Sequence, residues 1–563
     1  MTRATQPSSL QEQIASALTR AVRLHHEGNK DEARLLYKGV VSHDPLNAIA
    51  LCNLAVLLKD RGEVEAYRKA TLKAALSVPT MSAAYNNLGN ALRDAGYHEQ
   101  SVKIGRYCSY ISPFYADNYS NMGLSQTYLT DYENSIRNCR KCLILSPAFP
   151  DGWLNHANAM VLARRGRQAG LSYRLATLLR PNHHTTLSSF GVALASLGYL
   201  SEAVYLQEQA LKLNSNNENA EFNIALYYLL MGRYSEGFKY YETGIGGKHA
   251  DNKRGNRRRV GQPVWKGQPL TGKSIIVTAE QGIGDEIMFA SVIPELSRLA
   301  DQVYYEVTPR LYDLMRRSQP GVEVFKYNPE SPREYLSDTS IDYSIPLGSL
   351  PNYFRKSLFN FGRQRPYLEP NKHLVRYFRH KYTQKFGDKF LIGVGWRGGS
   401  GQLRSSGRST DLQRFAPIVN LPGVQAVSIQ YGDVRKEIEQ FNDRNYGTVH
   451  FDPEVDPLES IEVSVAQIAA MDLVVSVTNA GVHCAGALGV PCWILVPHIS
   501  DWRWTWGRPD VIWYPGMRCY RQRTQGDWSH PFGRLISDLE EFFKGRCELR
   551  APPAADMDWS GDL

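Results

Sequence analysis

No stretch of this 563-residue chain is long and apolar enough to read as a membrane span. Residues 1–13 are polar and lack the apolar core of a secretory leader, so a cytoplasmic protein is expected. Charge of one sign is also in short supply. The net charge is only +9, and no long basic run is interleaved with aromatics, which argues against a nucleic-acid surface. Cysteine is sparse, at eight scattered residues. The single CxxC, Cys139 and Cys142, falls on a helix at positions that want small side chains, so packing is expected there rather than metal or redox chemistry. A D-x-D pair occurs only at Asp556 and Asp558 in the polar tail, and His483, Cys484 and His498 lack metal-ligand spacing. Neither a metal nor a cofactor is expected.

What the chain does have is a period. Proline returns every 34 residues at Pro45, Pro79, Pro113, Pro147 and Pro181. Other columns keep step with it: Asn53, Asn87, Asn121, Asn155, Ser189 and Asn223; two positions on, Ala55, Gly89, Gly123, Ala157, Gly191 and Ala225; and a turn glycine at Gly28, Gly62, Gly96, Gly198 and Gly232. A fixed period of this length means stacked helical hairpins. In residues 82–115, Tyr85, Leu88 and Leu92 share one helical face, Gly89 lets a neighbouring helix approach, Gly96 ends the first helix and Pro113 closes the unit.

This brick resembles the tetratricopeptide repeat, over residues 14–243 as about seven units. In that family the Asn column faces the concave side, and in the O-linked N-acetylglucosamine transferases such a ladder grips an extended polypeptide. The resemblance makes Asn53, Asn87, Asn121, Asn155 and Asn223 candidates for an acceptor groove; an amide both donates and accepts and so can pair any peptide unit. A solvated column of no special function is the alternative.

Periodicity stops near Tyr241. Residues 244–262 carry Lys248, Lys253, Arg254, Arg257, Arg258 and Arg259 among glycines, which reads as a solvated linker or as a patch for an acidic partner. After Trp265, strand-like and helical segments alternate. Strands are expected at 274–278, 302–308, 322–327, 390–396, 424–430, 448–451, 473–477 and 492–496, and helices at 285–300, 310–317, 411–419, 434–441, 463–470 and 480–488. Strands separated by helices imply parallel sheets, and two such sets imply two lobes.

Four separated segments then carry a more specific likeness: AEQGIGDEIMFA at 279–290, GVGWRGG at 393–399, DLVVSVTNAGVHCAGALGVPCWILVP at 472–497 and DWRWTWGRPDVIWYPGMRCYRQ at 501–522. Together they resemble the catalytic half of bacterial tetratricopeptide-repeat glycosyltransferases, which are similar to the heptosyltransferase family, glycosyltransferase family 9. The resemblance implies two Rossmann-like lobes in the GT-B arrangement: an acceptor-side lobe at 263–366, a nucleotide-sugar lobe at 367–535, and a C-terminal helix and polar tail at 536–563.

The residues suit that chemistry. Thr478, Asn479, Ala480 and Gly481 stand where a strand hands over to a helix, a place that presents N–H groups to a diphosphate; an ordinary helix cap is the plainer reading. His483 also matches the family. Arg397, Arg404 and above all Arg408, followed by Ser409, offer guanidinium to a departing diphosphate, and Gln430 is a weaker candidate for the nucleotide. In the other lobe Gly282 and Gly284 flank a turn that opens at Asp285. The resemblance makes Asp285 the general base for the acceptor hydroxyl, with Glu280 in reserve, whereas a helix cap is the simple alternative. The run Trp502, Trp504, Trp506, Trp513 and Tyr514 is read as a core or lobe-closing cluster, with sugar stacking as its rival.

One position departs from the family, which commonly reads S-V-D-T where this chain has Ser476, Val477, Thr478 and Asn479. A charged acceptor is missing there, so the sugar is not carried over. The expectation is a metal-independent, inverting transfer from a nucleotide-sugar to Ser or Thr of a protein held by the repeats, with flagellin glycosylation as one setting by analogy. Transfer to a glycolipid or saccharide, and a non-catalytic adaptor with a decayed transferase half, remain as alternatives.

Overall fold

The structure, a computed structural model, describes residues 10–244, 260–328, 340–361, 365–399 and 407–550. Most of the 244–262 linker, Arg404, and the Asp556 and Asp558 pair lie outside the described residues. The chain divides into two compact units, residues 1–215 and 216–563.

The first unit is a run of six helical hairpins, a tetratricopeptide-like all-α array. They are α1 (Leu10–His26) with α2 (Lys30–His43), α3 (Ala48–Asp60) with α4 (Val64–Ser77), and α5 (Ser82–Asp94) with α6 (His98–Ile111). Then come α7 (Ala116–Tyr128) with α8 (Tyr132–Leu145), α9 (Pro150–Leu162) with α10 (Gly166–Leu179), and α11 (His184–Ala195) with α12 (Leu200–Leu213). The small column is needed where helices meet: a Cβ on Gly123 would lie 2.7 Å from Cys139 Sγ and 3.1 Å from Ser135 O. Cys139 and Cys142 are fully buried in α8, and burial pushes both thiols up to about 12. They pack, as their positions in the repeat suggest.

The hairpin turns explain the glycine column and also its gaps. Gly28, Gly62, Gly96, Gly198 and Gly232 all have positive φ, and the two positions of this column without glycine, Thr130 and Arg164, adopt φ of 61° and 62°. The period fixes the left-handed turn even where the side chain disfavours it.

The second unit starts with one more hairpin, α13 (Glu218–Leu230) and α14 (Tyr234–Tyr241), followed by two parallel sheets. The first has the order β3-β2-β1-β4, from β1 (Ser274–Thr278), β2 (Gln302–Val307), β3 (Glu323–Lys326) and β4 (Tyr343–Pro346). The second has the order β10-β9-β8-β5-β6-β7, from β5 (Phe390–Gly395), β6 (Val424–Ser428), β7 (Val449–His450), β8 (Leu473–Val477), β9 (Cys492–Val496) and β10 (Arg518–Arg521). Its inner strands β5, β8 and β9 are near-continuous apolar runs because both faces are covered, and Val394, Trp396, Val475, Trp493 and Leu495 form the core with Phe532 and Leu535 of the helix Ser529–Phe543.

Three expectations needed revision. The helix expected over 285–300 is α15 (Ile283–Ala290) and a separate turn at Ile293–Leu296, because Pro294 has no N–H to donate to the Ala290 carbonyl and its ring crowds that carbonyl. Strands β4 and β10 had not been foreseen. Both are four-residue edge strands, and β10 begins and ends in arginine, so neither shows an apolar run.

Candidate functional site

Two helices of the second unit carry the site. α15 follows β1 through the glycine turn, and α16 (Ala480–Leu488) follows β8. They pack against each other with their N-termini at one cavity. The approach is close: a Cβ on Gly284 would lie 3.0 Å from His483 Cδ2. The cavity holds about 730 Å³, ample for a nucleotide-sugar, and is lined by Gly282, Gly284, Asp285, Arg408, Thr478, Asn479, Ala480 and His483 among others.

The Gly282–Asp285 turn is held from three sides. Gly282 is the N-cap of α15, and Asp285, the third residue of the helix rather than the cap itself, accepts the Gly282 N–H at 3.3 Å through Oδ2. Its Oδ1 accepts from Arg503 Nε at 2.6 Å, and Arg503 also pairs with Asp501. Burial pulls the Arg503 guanidinium down, but Asp285 and Asp501 outweigh burial and leave its pKa raised. A fixed cation therefore sits between two carboxylates at the cavity wall. Beside it, Gln281 takes a left-handed φ of 65° and accepts from the Tyr241 hydroxyl of α14 at 2.9 Å, while its Nε2 is buried without a partner.

At the opposite wall, Asn479 caps α16. Its Oδ1 accepts from Val482 N at 3.3 Å, and its Nδ2 donates to Arg397 O and to Ser476 Oγ. Thr478 is 2% exposed, and its buried Oγ1 has no hydrogen-bond partner. His483 Nδ1 is 2.8 Å from the Tyr514 hydroxyl, and its ring packs on Trp504 at 5.0 Å. Burial lowers the His483 pKa to about 4, so the imidazole is neutral at physiological pH.

Other candidates lie elsewhere. Gln430 is buried, with Oε1 accepting the N–H groups of Trp396 and Arg397, so it braces the end of β5 and does not line the cavity. Arg397 pairs with Glu437. Gly481 is not a lining residue but stands one position inside α16. Glu280 is buried and accepts the Gly348 N–H at 2.5 Å, which makes it a brace of the first sheet. In the aromatic run, Trp502 packs with Phe238, Tyr241, Phe289 and Trp513 as a core cluster, yet Trp502 and Trp504 also face the cavity.

Within the first unit the Asn column makes bonds between hairpins. Asn121 Nδ2 donates to Asn86 Oδ1 and Asn155 Nδ2 to Ser120 Oγ, each at 2.9 Å and each 35 residues back. Asn53 and Asn87 keep the same place in α3 and α5, and Asn223 lies in α13 of the second unit.

Arg503, Asp501, Gln281 and Tyr241 were not singled out from sequence. The D-x-R spacing at 501–503 was the available signal for the first two; nothing marked Tyr241, which reaches the turn from 40 residues upstream.

No family model matches the chain. It is 27% identical over 380 residues to Protein FlbA of Caulobacter vibrioides, covering 65% of this chain and 62% of that protein. The chain thus spans less than two thirds of that relative's length. Among solved structures, similarity extends to the Cut9-Hcn1 tetramer component of APC/C (16% identity, 41% of this chain and 46% of that one, TM-score 0.38). It extends also to a tetratricopeptide repeat protein from Parabacteroides merdae (12%, 43% and 96%, 0.36) and to Pseudomonas aeruginosa pilF (19%, 36% and 93%, 0.32). Likenesses at these scores carry no functional argument. Among the described residues, no helix is long and apolar enough to cross a membrane.

Proposed function

We propose that the second unit is a glycosyltransferase that moves a sugar from a nucleotide-sugar to a Ser or Thr hydroxyl of a protein acceptor, with inversion and without a metal. The supporting observation is the single cavity in which the Asp285 turn and the N-terminus of α16 face each other. The free N–H groups at the start of α16 and the Arg408 guanidinium suit a diphosphate, and the unpartnered Thr478 hydroxyl suits a polar atom of the donor.

In this reading the acceptor oxygen attacks the anomeric carbon while Asp285 takes its proton. The bond to the diphosphate breaks with its electron pair going to the leaving oxygen. The Gly282 N–H and Arg503 hold the Asp285 carboxylate in one orientation; Oδ1 faces both Nε and Nη2 of Arg503, and Oδ2, which accepts only the Gly282 N–H, retains a lone pair for the incoming proton. Asp501 also pairs with Arg503, so the guanidinium is not committed to Asp285 alone.

The test is intact-protein mass spectrometry of candidate acceptors, flagellin among them, incubated with UDP, GDP, CMP and ADP sugars, alongside thermal shift of the full chain with each donor. Transfer is expected with one donor class and is expected to be lost in Asp285→Asn. A second reading, a non-catalytic adaptor, is favoured by Thr478 in place of a carboxylate. It predicts that no donor raises the melting temperature and no acceptor gains mass.

A further inference from the structure

The outer helices of the first unit carry a pattern that the packing does not use. Near the C-terminal ends of α4, α6, α8 and α10 stand Leu76, Tyr110, Ile144 and Leu178, one repeat apart and 70%, 83%, 79% and 75% exposed. Scattered exposed apolar residues need no explanation, but one in the same register on four consecutive hairpins makes a row.

A cation lies one helical turn before each of them: Lys73, Arg106, Arg140 and Arg174, all exposed. Lys69, Lys103 and Arg137 lie a further turn back on the first three helices. Carboxylates on these helices are held at the other end, with Glu65, Glu99 and Glu133 in the first turns of α4, α6 and α8. Only Lys69 reaches one of them, at 3.8 Å. Among the described residues, none of the four cations beside the apolar row forms a salt bridge.

We infer that this row of apolar tips and unpaired cations is a docking surface for an acidic polypeptide segment that carries apolar side chains at regular intervals. The charge selects the acid, and the apolar row supplies the anchors. A second copy of this chain is disfavoured, because a two-fold contact through the row sets cations against cations. A flat anionic membrane fits less well, because successive hairpins of a repeat array are rotated relative to one another and their tips do not share a plane, whereas an extended segment can follow them. The four outer helices pack chiefly on the inner helices between them rather than on one another, so successive tips stand farther apart than the about 10 Å of a single helix contact. An extended chain needs at least about three residues for that step, so the matching segment carries apolar residues at multiples of about three positions with acids between.

The probe is a labelled (Leu-Glu-Glu)5 peptide, with (Ser-Glu-Glu)5 as its equal-charge control, titrated against the full chain by fluorescence anisotropy. Saturable binding is expected, at least about tenfold tighter than the control and weakened by salt. Tyr110→Ser with Ile144→Ser, and separately Arg106→Glu with Arg140→Glu, should each weaken it by about tenfold or more while leaving the melting temperature unchanged, because all four side chains are exposed. The inference is overturned by failure to bind up to about 1 mM, by equal binding of the two peptides, or by variants that bind as well as the parent. It is also overturned if phosphatidylserine vesicles, and not the peptide, capture the chain through these residues, or if sedimentation shows a dimer that the variants abolish.

Discussion

The two units solve the problem of burying a core in different ways, and the difference decides what each reveals. In the first, one hairpin is stated six times, so a position repeats its environment and its deviations stand out. Thr130 is visible as an anomaly in a glycine column, and exposed Tyr110 as one member of a row, only because their counterparts are known. In the second, no position is restated. Asp285 is distinguished solely by what converges on it: the Gly282 N–H, Arg503 and the cavity. Repetition displays fold and surface, whereas chemistry here rests on contacts distant in sequence.

The largest expected effect tests that contrast. Asp285→Asn keeps the shape of the turn but removes the proposed base, so the proposed transfer should fall by about 10²–10⁴-fold with little change in melting temperature. Arg503→Gln should also lower kcat of the proposed transfer, because Asp285 loses the guanidinium that fixes its Oδ1. By contrast, Asn121→Ala in the first unit should raise KM for a protein acceptor and leave kcat intact. If Asn121→Ala lowered kcat as deeply as Asp285→Asn, the division of labour between the units would be wrong.

Close packing gives the next effect. A Cβ on Gly486 of α16 would lie 2.3 Å from Tyr514 Cγ and 2.6 Å from Met517 Sδ, both buried, so Gly486→Val should destabilise the second unit by about 3 kcal/mol or more. Gly170 in α10 has nothing within 4 Å of the same construction, and Gly170→Ala should stabilise the first unit by about 0.5–1 kcal/mol. Chemical denaturation of each variant, followed by hydrogen exchange to locate the change, distinguishes the two.

Legibility followed the same division. The strands β1, β8 and β9 and the helix α16 stood in the sequence with the boundaries observed, because buried parallel strands are uninterrupted apolar runs ended by turn residues. The charged edge strand β10 did not show, since Arg521 is half-buried and held by bonds to Ser500 and Trp504 that no local pattern announces. At the site, the Asp285 turn and the Thr478–Ala480 corner were readable because glycine turns and helix starts have sequence signatures. Gln430 was read as a weaker candidate for the nucleotide; it stands instead as a brace at the end of β5, a position that a strand end offers equally. For Arg503 the D-x-R spacing pointed only to Asp501, and its pairing with Asp285, 218 residues away, had no local signature.

Acid should separate the units. In the first, burial lowers His156 to about 4 from an ordinary 6.5. Its contribution is complete above pH 6.5 and is lost as pH falls toward 4, since the unfolded chain takes up the proton first. In the second, His483 behaves alike, but Glu286, buried beneath the turn and bonded to Thr308, is raised to about 7. A raised carboxyl acts with the opposite sign: its stability is present below 4.5 and lost as pH rises through 7. Between pH 6.5 and 4.5 the two shifts offset each other in the second unit; in the first, burial also raises the Asp117 carboxyl, but it is only partly buried and opposes His156 less. From pH 7 to pH 5 the first unit should therefore lose on the order of 1 kcal/mol relative to the second, after allowance for solvent screening. Hydrogen exchange over residues 150–162 and 480–488 reads this directly, and His156→Gln should remove the difference.

The smallest effect turns the repeat's regularity on itself. Thr130 holds φ at 61° at a turn where five of the other six repeats have glycine, and a β-branched residue disfavours that region. Thr130→Gly relieves the native conformation but also frees the unfolded chain, so the net gain should be about 0.5–1 kcal/mol rather than the full cost of the strained turn. The Thr130 hydroxyl makes no contact that the change would forfeit among the bonds described, so a denaturation midpoint that moved down would mean the turn is fixed by something other than its backbone. The same change at Arg164, with φ of 62°, should give a similar gain, and the two should add because each turn closes its own hairpin.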